Sequence, residues 1–317
     1  MAVLVTGGAG FLGSHLLERL LDDTEEQLVC LDNFNDFYSP ERKRQNLGRL
    51  AASPRFHLVE GDLVDPAVVE GVFRRFSIAQ VFHAAALAGI RPSVEDPLPY
   101  LKTNVEGTLA LLETVRRYGV DRLVFVSSSS VYGNECAVPF REDAPLGRPA
   151  SPYGVTKHAA EQLCLLYHTL HGMPVVVVRL FSVYGPRLRP DLALSVFARC
   201  IDQGRPLPLL GDGSQKRDFT YVGDVVNGLL AASRRDCVGE VINLGHNKPV
   251  AICRLIALLE QELGKPARIE PQPAHPGDLS VTCADLSKAI RLLGYRPQVS
   301  IEDGVREFVH WLRADAE

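Results

Sequence analysis

Tyr153 and Lys157 stand in the pattern Tyr-x-x-x-Lys. On a helix, that spacing puts both side chains on one face. An ammonium beside a phenol lowers the phenol's pKa, so the phenolate becomes a usable base near neutral pH. Upstream, an apolar run ends in Ser127-Ser128-Ser129-Ser130-Val131-Tyr132-Gly133. Strand ends of open α/β sheets bind ligands, and a hydroxyl there can bond a reacting oxygen and relay its proton. The plainer alternative is a polar strand end without chemistry, and Tyr132 reads as a packing residue. Near the N-terminus, Gly7, Gly10 and Gly13 recur at every third residue between a strand and a helix. Gly7 permits a tight turn, Gly10 lets a pyrophosphate approach the backbone, and Gly13 lets helix and strand pack closely. The helix start offers free N–H groups to that pyrophosphate. Asp32 follows Gly13 by nineteen residues at the end of the second strand. An acid there accepts the ribose hydroxyls of NAD and repels the extra phosphate of NADP; the alternative is an aspartate that caps a loop. Asp62 and Leu63 follow the third strand, on the adenine side. Ala84, Ala85 and Ala86 follow the fourth, small enough for the cofactor to lie against the backbone, while His83 reads as a buried, satisfied histidine.

These residues need a parallel sheet to carry them. Strands are expected at Val3–Thr6, Gln27–Asp32, Phe56–Glu60, Gln80–His83, Arg122–Ser127 and Val175–Leu180, from short apolar runs. Helices are expected at Phe11–Leu21 and near 41–51, 66–76, 97–119 and 152–172. Such alternation implies an α/β, Rossmann-like, doubly wound sheet covered on both faces. Prolines at 186, 190, 206 and 208 and the turn Gly211-Asp212-Gly213 then loosen the order. Further helices are expected near 191–203, 222–233, 249–263 and 301–314. We divide the chain into a dinucleotide-binding domain, 1–180, and a smaller interleaved lobe, 181–317. Residues 222–245 are expected to rejoin the first, through helix 222–233 and a strand at 240–243.

The 317 residues are 46% apolar and 23% charged, an ordinary globular balance. A net charge of -4 speaks against nucleic-acid binding by bulk charge. The one dense basic run, Arg42-Lys43-Arg44, reads as a solvated helix face. No apolar stretch approaches the ~20 residues that span a bilayer, and the N-terminus lacks the features of a signal peptide. Seven cysteines without a C-x-x-C pair fit reduced thiols in a cytoplasmic protein, and no metal site is expected. The lone Trp311 reads as a packing residue of the last helix.

The glycine turn, Asp32, Asp62-Leu63, the serine strand end and Tyr153-x-x-x-Lys157 together resemble the extended short-chain dehydrogenase/reductases, specifically the NAD-dependent sugar epimerase/dehydratase group. The resemblance covers essentially the whole chain. It implies bound NAD that transiently oxidises a nucleotide-sugar hydroxyl. Tyr153 is then the base, Lys157 tunes it and holds the nicotinamide ribose, Ser128 is the hydroxyl partner, and Asn104 braces the region. Phe11, Leu12, Asn33, Asn35, Ser127 and Phe181 join the cofactor side. It also implies a homodimer through helices near 97–119 and 152–172, whose apolar stripes would otherwise pack only on their own sheet.

Within the group, Leu31–Tyr38, Ala85–Ser93 and Arg179–Pro186 followed by Arg189-Pro190-Asp191 resemble segments of UDP-glucuronate 4-epimerases. The acids that dehydratases and decarboxylases carry after the hydroxyl residue are replaced by Ser129 and Ser130. Oxidising C4 of a glucuronate gives a β-keto acid, which loses CO₂ when its carboxylate aligns with the carbonyl π system. Ser182 and Arg189 are our candidates for a clamp against that alignment, helped by Ser129 and Ser130. A surface-loop arginine is the alternative for Arg189. Arg217 matches a diphosphate contact and Asp278 a uridine-ribose contact, with His275 where many relatives have arginine. The expected activity is 4-epimerisation of UDP-glucuronate. UDP-glucose or UDP-N-acetylglucosamine 4-epimerisation is the first alternative, then UDP-glucuronate decarboxylation, and from another class a non-catalytic nucleotide-binding scaffold. Neither a nucleic-acid nor a membrane partner is expected.

Overall fold

The computed structural model describes residues 1–273 and 279–314. Its centre is a seven-stranded, wholly parallel sheet. In chain order, its first six strands are β1 (Ala2–Thr6), β2 (Gln27–Asp32), β3 (Phe56–Glu60), β4 (Ile78–His83), β5 (Arg122–Ser128) and β6 (Val175–Leu180). In space they run β6-β5-β4-β1-β2-β3, and strand Val241–Leu244 completes the sheet beside β6. The expected doubly wound α/β architecture is thus observed.

The strands read as continuous apolar runs because both faces are covered. In β6, all six residues are buried. Alternate residues serve opposite layers. Val3 and Val5 meet Leu16, Leu17 and Leu20 of helix Phe11–Asp23 and Leu229 of helix Val222–Arg234. Leu4 belongs to the cluster on the other side, with Val72, Phe73, Leu111 and Ala160. The strand order reverses between β1 and β4, and their paired ends, Thr6 and His83, mark the switch point where such sheets bind ligands.

Local chemistry sets the helix boundaries. Asp65 caps Pro66–Arg75 and Ser151 caps Pro152–His171, each accepting a backbone N–H and each followed by a proline already shaped for a first turn. The expected helix near 97–119 forms with a modification. Leu98–Leu101 and Gly107–Tyr118 are joined by a π-type turn over Lys102–Glu106, with Asn104 buried inside it. The helix near 41–51 divides into Pro40–Gln45 and Gly48–Ala51.

Helix Val222–Arg234 and strand Val241–Leu244 do return to the main sheet. Around them lie short pairings that local pattern does not reveal. Ser182–Tyr184 lies parallel to Phe219–Tyr221, Pro206–Leu210 parallel to Arg268–Gln272, and Lys216–Arg217 antiparallel to Val250–Ala251. Asp218 ties this region together. Fully buried, it accepts N–H bonds from His246 (2.7 Å), Asn247 (3.1 Å) and Ala284 (2.8 Å).

Leu16 is fully buried where the first helix meets β1. Replacing it with alanine is expected to cost about 2–5 kcal/mol. Urea unfolding should show a lower midpoint at an unchanged slope; an unchanged midpoint would disprove the packing described.

Candidate active site

One cavity of about 1100 Å³ runs over the C-terminal ends of the strands. Its wall contains every described residue singled out above for a site, except Asn104.

At one end is the glycine turn. Gly7 has φ +68°, and a Cβ there would lie 2.7 Å from the Ala85 Cα. A Cβ on Gly13 would lie 2.3 Å from the Gly7 oxygen, so helix and strand touch through it. Around Gly10 there is room: its Cβ would meet only the Gly7 oxygen at 3.2 Å and the Tyr38 hydroxyl at 4.0 Å. No side chain caps the helix that Gly10 opens, so its first N–H groups remain for an anion. The Tyr38 hydroxyl is buried without a protein partner. Asp32 accepts the N–H groups of Ala9 (3.0 Å) and Phe34 (2.9 Å). Burial raises its pKa, and those bonds together with Lys43 oppose the rise. Asn33 donates to Asp62 at 3.1 Å, joining the ends of β2 and β3. Leu63 is buried, and Ala84 and Ala85 hold to Thr6 through their N–H groups. An uncapped helix start, an orphaned hydroxyl beside it and a carboxylate at the end of β2 suit the pyrophosphate and ribose of NAD.

Here the basic run departs from expectation. Lys43 is 5% exposed, not solvated. Its Nζ donates to the Asn35 carbonyl (2.7 Å) and to Asn35 Oδ1 (2.8 Å), which places it in the cavity wall. Arg44 pairs with Glu60 and covers the Phe34 ring at 4.3 Å. Nothing in the local sequence separates Lys43 from its arginine neighbours; only the fold turns it inward.

At the centre are Tyr153 and Lys157. The Tyr153 N–H donates to Ser93 Oγ at 3.1 Å, and its ring meets Tyr100 edge-on at 6.3 Å between centroids. Burial raises the phenol's pKa; the Ser128 hydroxyl and then the Arg189 charge pull it down. The Lys157 ammonium donates to the Val126 carbonyl at 2.5 Å and lies 4.3 Å from the Phe125 ring centroid. Burial depresses its pKa to about 8. His83 bonds Thr6 (2.7 Å) and Thr108 (2.9 Å) and has its pKa lowered to about 3 by burial and then by Lys157, so it is neutral.

Ser128 Oγ accepts the Ser130 N–H at 3.1 Å and lies 3.2 Å from the Ser130 hydroxyl. Ser129 and Ser130 begin the one-turn helix Ser129–Tyr132. Two residues expected near the cofactor bond to the protein itself. The Ser127 hydroxyl turns inward to Glu161 at 2.9 Å, because a buried donor needs an acceptor and the core supplies one. Asn104 lies behind the wall, accepting the Leu87 N–H (2.8 Å) and donating to the Leu87 carbonyl (3.0 Å) and Thr156 (3.1 Å). It braces the loop after β4 rather than touching the cavity.

At the far end, Phe181 is buried and Ser182 half-buried. Arg189 is no surface-loop arginine. Its guanidinium grips Asp191 through Nε (3.0 Å) and Nη2 (2.7 Å), donates to the Ala88 carbonyl (3.1 Å) and stacks 5.1 Å from the Phe37 ring centroid. Arg217 donates to the Leu279 carbonyl at 2.7 Å from the same wall. Asp278 and His275 lie outside the described residues.

A seven-stranded switch-point sheet with this tyrosine–lysine helix and glycine turn defines a dinucleotide-dependent short-chain enzyme. The chain belongs to the NAD dependent epimerase/dehydratase family, whose sequence model matches residues 3–245. It is an NAD-dependent epimerase, an isomerase. It is 41% identical over 315 residues to a UDP-glucuronate 4-epimerase of Thermodesulfobacterium geofontis, spanning 99% of this chain and 97% of that protein. Its fold matches the crystal structure of UDP-glucuronic acid 4-epimerase from Bacillus cereus in complex with UDP-glucuronic acid and NAD, with a TM-score of 0.94, 37% identity and 99% of each chain covered. UDP-glucose 4-epimerase of Thermotoga maritima, solved with UDP-glucose, follows at a TM-score of 0.92 and 31% identity over 100% of both chains.

Holding Lys157 charged inside the protein costs stability. Its folded pKa is lowered to about 8, below the unfolded value. Between those values the unfolded chain binds more protons, so this group makes stability rise with pH across that window. Lys157→Met should stabilise the fold at pH 7 by about 1–2 kcal/mol and abolish turnover. Thermal melts from pH 7 to 10 check it; the variant should lose the wild type's upward slope, and a variant less stable at pH 7 would refute the reading.

Proposed function

We propose that the protein interconverts UDP-glucuronate and UDP-galacturonate through a 4-keto sugar. The observation that carries this is that Ser128–Ser130, Tyr153 and the half-buried Arg189 line one cavity. Tyr153 takes the proton of the C4 hydroxyl, directly or through Ser128, and returns it after the sugar has turned. NAD, when bound, supplies the hydride acceptor and donor. Gly7, Gly10, Asp32 and the wall of Ala84–Ala86 would hold it, and Lys157 would bond its nicotinamide ribose. Arg217 holds the diphosphate, with Asp278 assigned to the uridine ribose.

Arg189 restrains the substrate carboxylate. Its Nε and Nη2 are committed to Asp191 and Ala88, which leaves the Nη1 donors for a charge-assisted bond. Ser182, Ser129 and Ser130 complete the grip and keep the carboxylate out of line with the C4 carbonyl. The Asp191 partner also partly neutralises Arg189, which favours neutral UDP-hexoses as the second reading. Residues 1–180 and 222–245 form the cofactor-binding part, and the remainder the nucleotide-sugar lobe.

We propose a homodimer through the two outer helices. Leu98, Leu101 and Leu109 on one and Val155, Leu166 and Leu170 on the other are exposed, Leu98 at 72% and Leu170 at 63%. Such a patch fits a self-complementary surface. Leu166→Glu with Leu170→Glu should shift sedimentation from dimer to monomer; a wild type that sediments as a monomer would end this proposal. No described helix is long and apolar enough to cross a membrane, and we assign the enzyme to the cytoplasm.

Purified protein incubated with UDP-glucuronate and no added NAD should give new UDP-galacturonate anomeric signals by NMR, without CO₂ or free NADH. Conversion of UDP-glucose alone would move the assignment to neutral sugars, and a UDP-pentose product would show that the carboxylate is not restrained. Arg189→Ala should raise KM for UDP-glucuronate at least about tenfold more than KM for UDP-glucose. Equal losses would remove Arg189 from carboxylate recognition.

A further inference from the structure

Behind the serine strand end lies a buried ion pair that the reaction as described does not use. Glu161 continues the Tyr153–Lys157 spacing by one more step of four, on the same helix face. Its carboxylate is fully buried, and its partner Arg179 is 5% exposed. Glu161 accepts Arg179 Nη2 at 2.5 Å and Nε at 3.1 Å, and the Ser127 hydroxyl at 2.9 Å. Ser127 and Arg179 sit opposite each other on β5 and β6. One carboxylate therefore clasps two adjacent strands to the Tyr153 helix, one residue before Ser128. One residue earlier again, Lys157 clasps the same helix to the Val126 carbonyl.

The network continues past the serines. The Arg179 guanidinium lies 4.7 Å from the centroid of Tyr132, which ends the Ser129–Tyr132 turn. Tyr132 stacks on Phe140 at 4.7 Å and donates to Asn243 Oδ1 at 2.8 Å, and the Asn243 amide donates to the Phe140 carbonyl at 2.9 Å. Both ends of the serine segment are thereby fixed to one charged centre. Stability alone does not call for this. Buried ion pairs give up solvation, and well-packed apolar residues of similar volume often serve the fold as well.

We propose that Glu161 and Arg179 are positioning residues for proton transfer: their clasp on β5 and β6 sets Ser128 against Tyr153 and holds the Lys157 helix at the Val126 carbonyl. This rests on Tyr153, Lys157 and Ser128 being the proton-transfer group. The titratable groups that act on Lys157 are Glu161 and Cys164 on its own helix and His83 from β4, and its ammonium lies over the Phe125 ring of β5. Burial keeps the Cys164 thiol neutral and His83 unprotonated, so Glu161 is the anion in that set. Burial pushes the lysine towards its neutral form, and Glu161 acts against it.

The test uses two variants of the NAD-loaded enzyme. Glu161→Gln keeps the shape and removes the charge. Glu161→Leu with Arg179→Met removes both charges, so no unpaired arginine is left to unfold the protein. In each, kcat should fall by about tenfold to a hundredfold with KM within about twofold, as misplacement at the reacting centre predicts. The alkaline limb of the kcat–pH profile should move to lower pH by roughly 0.5–1 unit. The Lys157 ammonium, followed by ¹⁵Nζ NMR without substrate, should titrate at correspondingly lower pH. Folded variants with unchanged kcat and an unchanged Lys157 titration would overturn the proposal. So would loss of folding in both, which would assign the pair to stability alone. The NMR readout needs no sugar, so a wild type inactive on UDP-glucuronate would refute the proposed substrate and leave this test to be read with UDP-glucose.

Discussion

Lys157 holds an ammonium group at 3% exposure, and much of the site can be understood as the means of keeping it there. A cation so far from water is tolerated only where fixed dipoles and counter-charge replace its hydration. The Val126 carbonyl supplies the dipole, the Phe125 ring a negative face, and Glu161 the counter-charge. Each of these sits on, or is clasped to, the last residues of β5. The same stretch leads into the serines, so the groups that stabilise the lysine also determine where the hydroxyls stand. That couples fold to chemistry: the catalytic end of β5 cannot move without exposing a buried charge to worse surroundings.

The parallel sheet makes this possible because its strand ends lie side by side at one edge. The paired ends of β1 and β2 bring the glycine turn against Asp32, and those of β5 and β6 bring Ser127 against Arg179. Residues far apart in sequence therefore meet through backbone register, the least deformable part of the fold. The far wall is built differently. Arg189, Arg217 and Ser182 stand on short strands and loops whose mutual hold depends on Asp218 and a few side-chain bonds. A rigid wall at the cofactor and an adaptable one at the sugar suit a reaction in which the cofactor must stay while the sugar turns.

Legibility in the sequence followed the same division. Strands β2 and β6 could be bounded to the residue because burial on both faces makes an apolar run, and the half-exposed edge strand β3 was bounded as well. The glycine turn, Asp32 and the Tyr153–Lys157 pair are local patterns whose spacing carries their chemistry. What escaped was set by contacts distant in sequence. Strands such as Lys216–Arg217 exist only because a distant strand pairs with them. Lys43 is buried because of where Asn35 lies, and the Ser127 hydroxyl is turned by Glu161. The π-type turn around Asn104 also left no periodicity to read, since its extra residue is absorbed within an otherwise helical pattern.

The catalytic pair also shows what a local pattern leaves open. The spacing Tyr-x-x-x-Lys places both side chains on one helix face, and the structure adds what each one meets: the Lys157 ammonium donates to the Val126 carbonyl and the Tyr153 N–H to Ser93. Arg189, whose charge pulls the phenol's pKa down, is the residue assigned to the substrate carboxylate. A carboxylate drawn to that guanidinium would offset part of the positive charge felt by the phenol, raising its basicity while making its ionisation harder. The bond to Asp191 already sets the guanidinium partway along that scale. If the substrate carboxylate pairs with that guanidinium as proposed, a change in the sugar's charge would act on proton transfer as well as on binding.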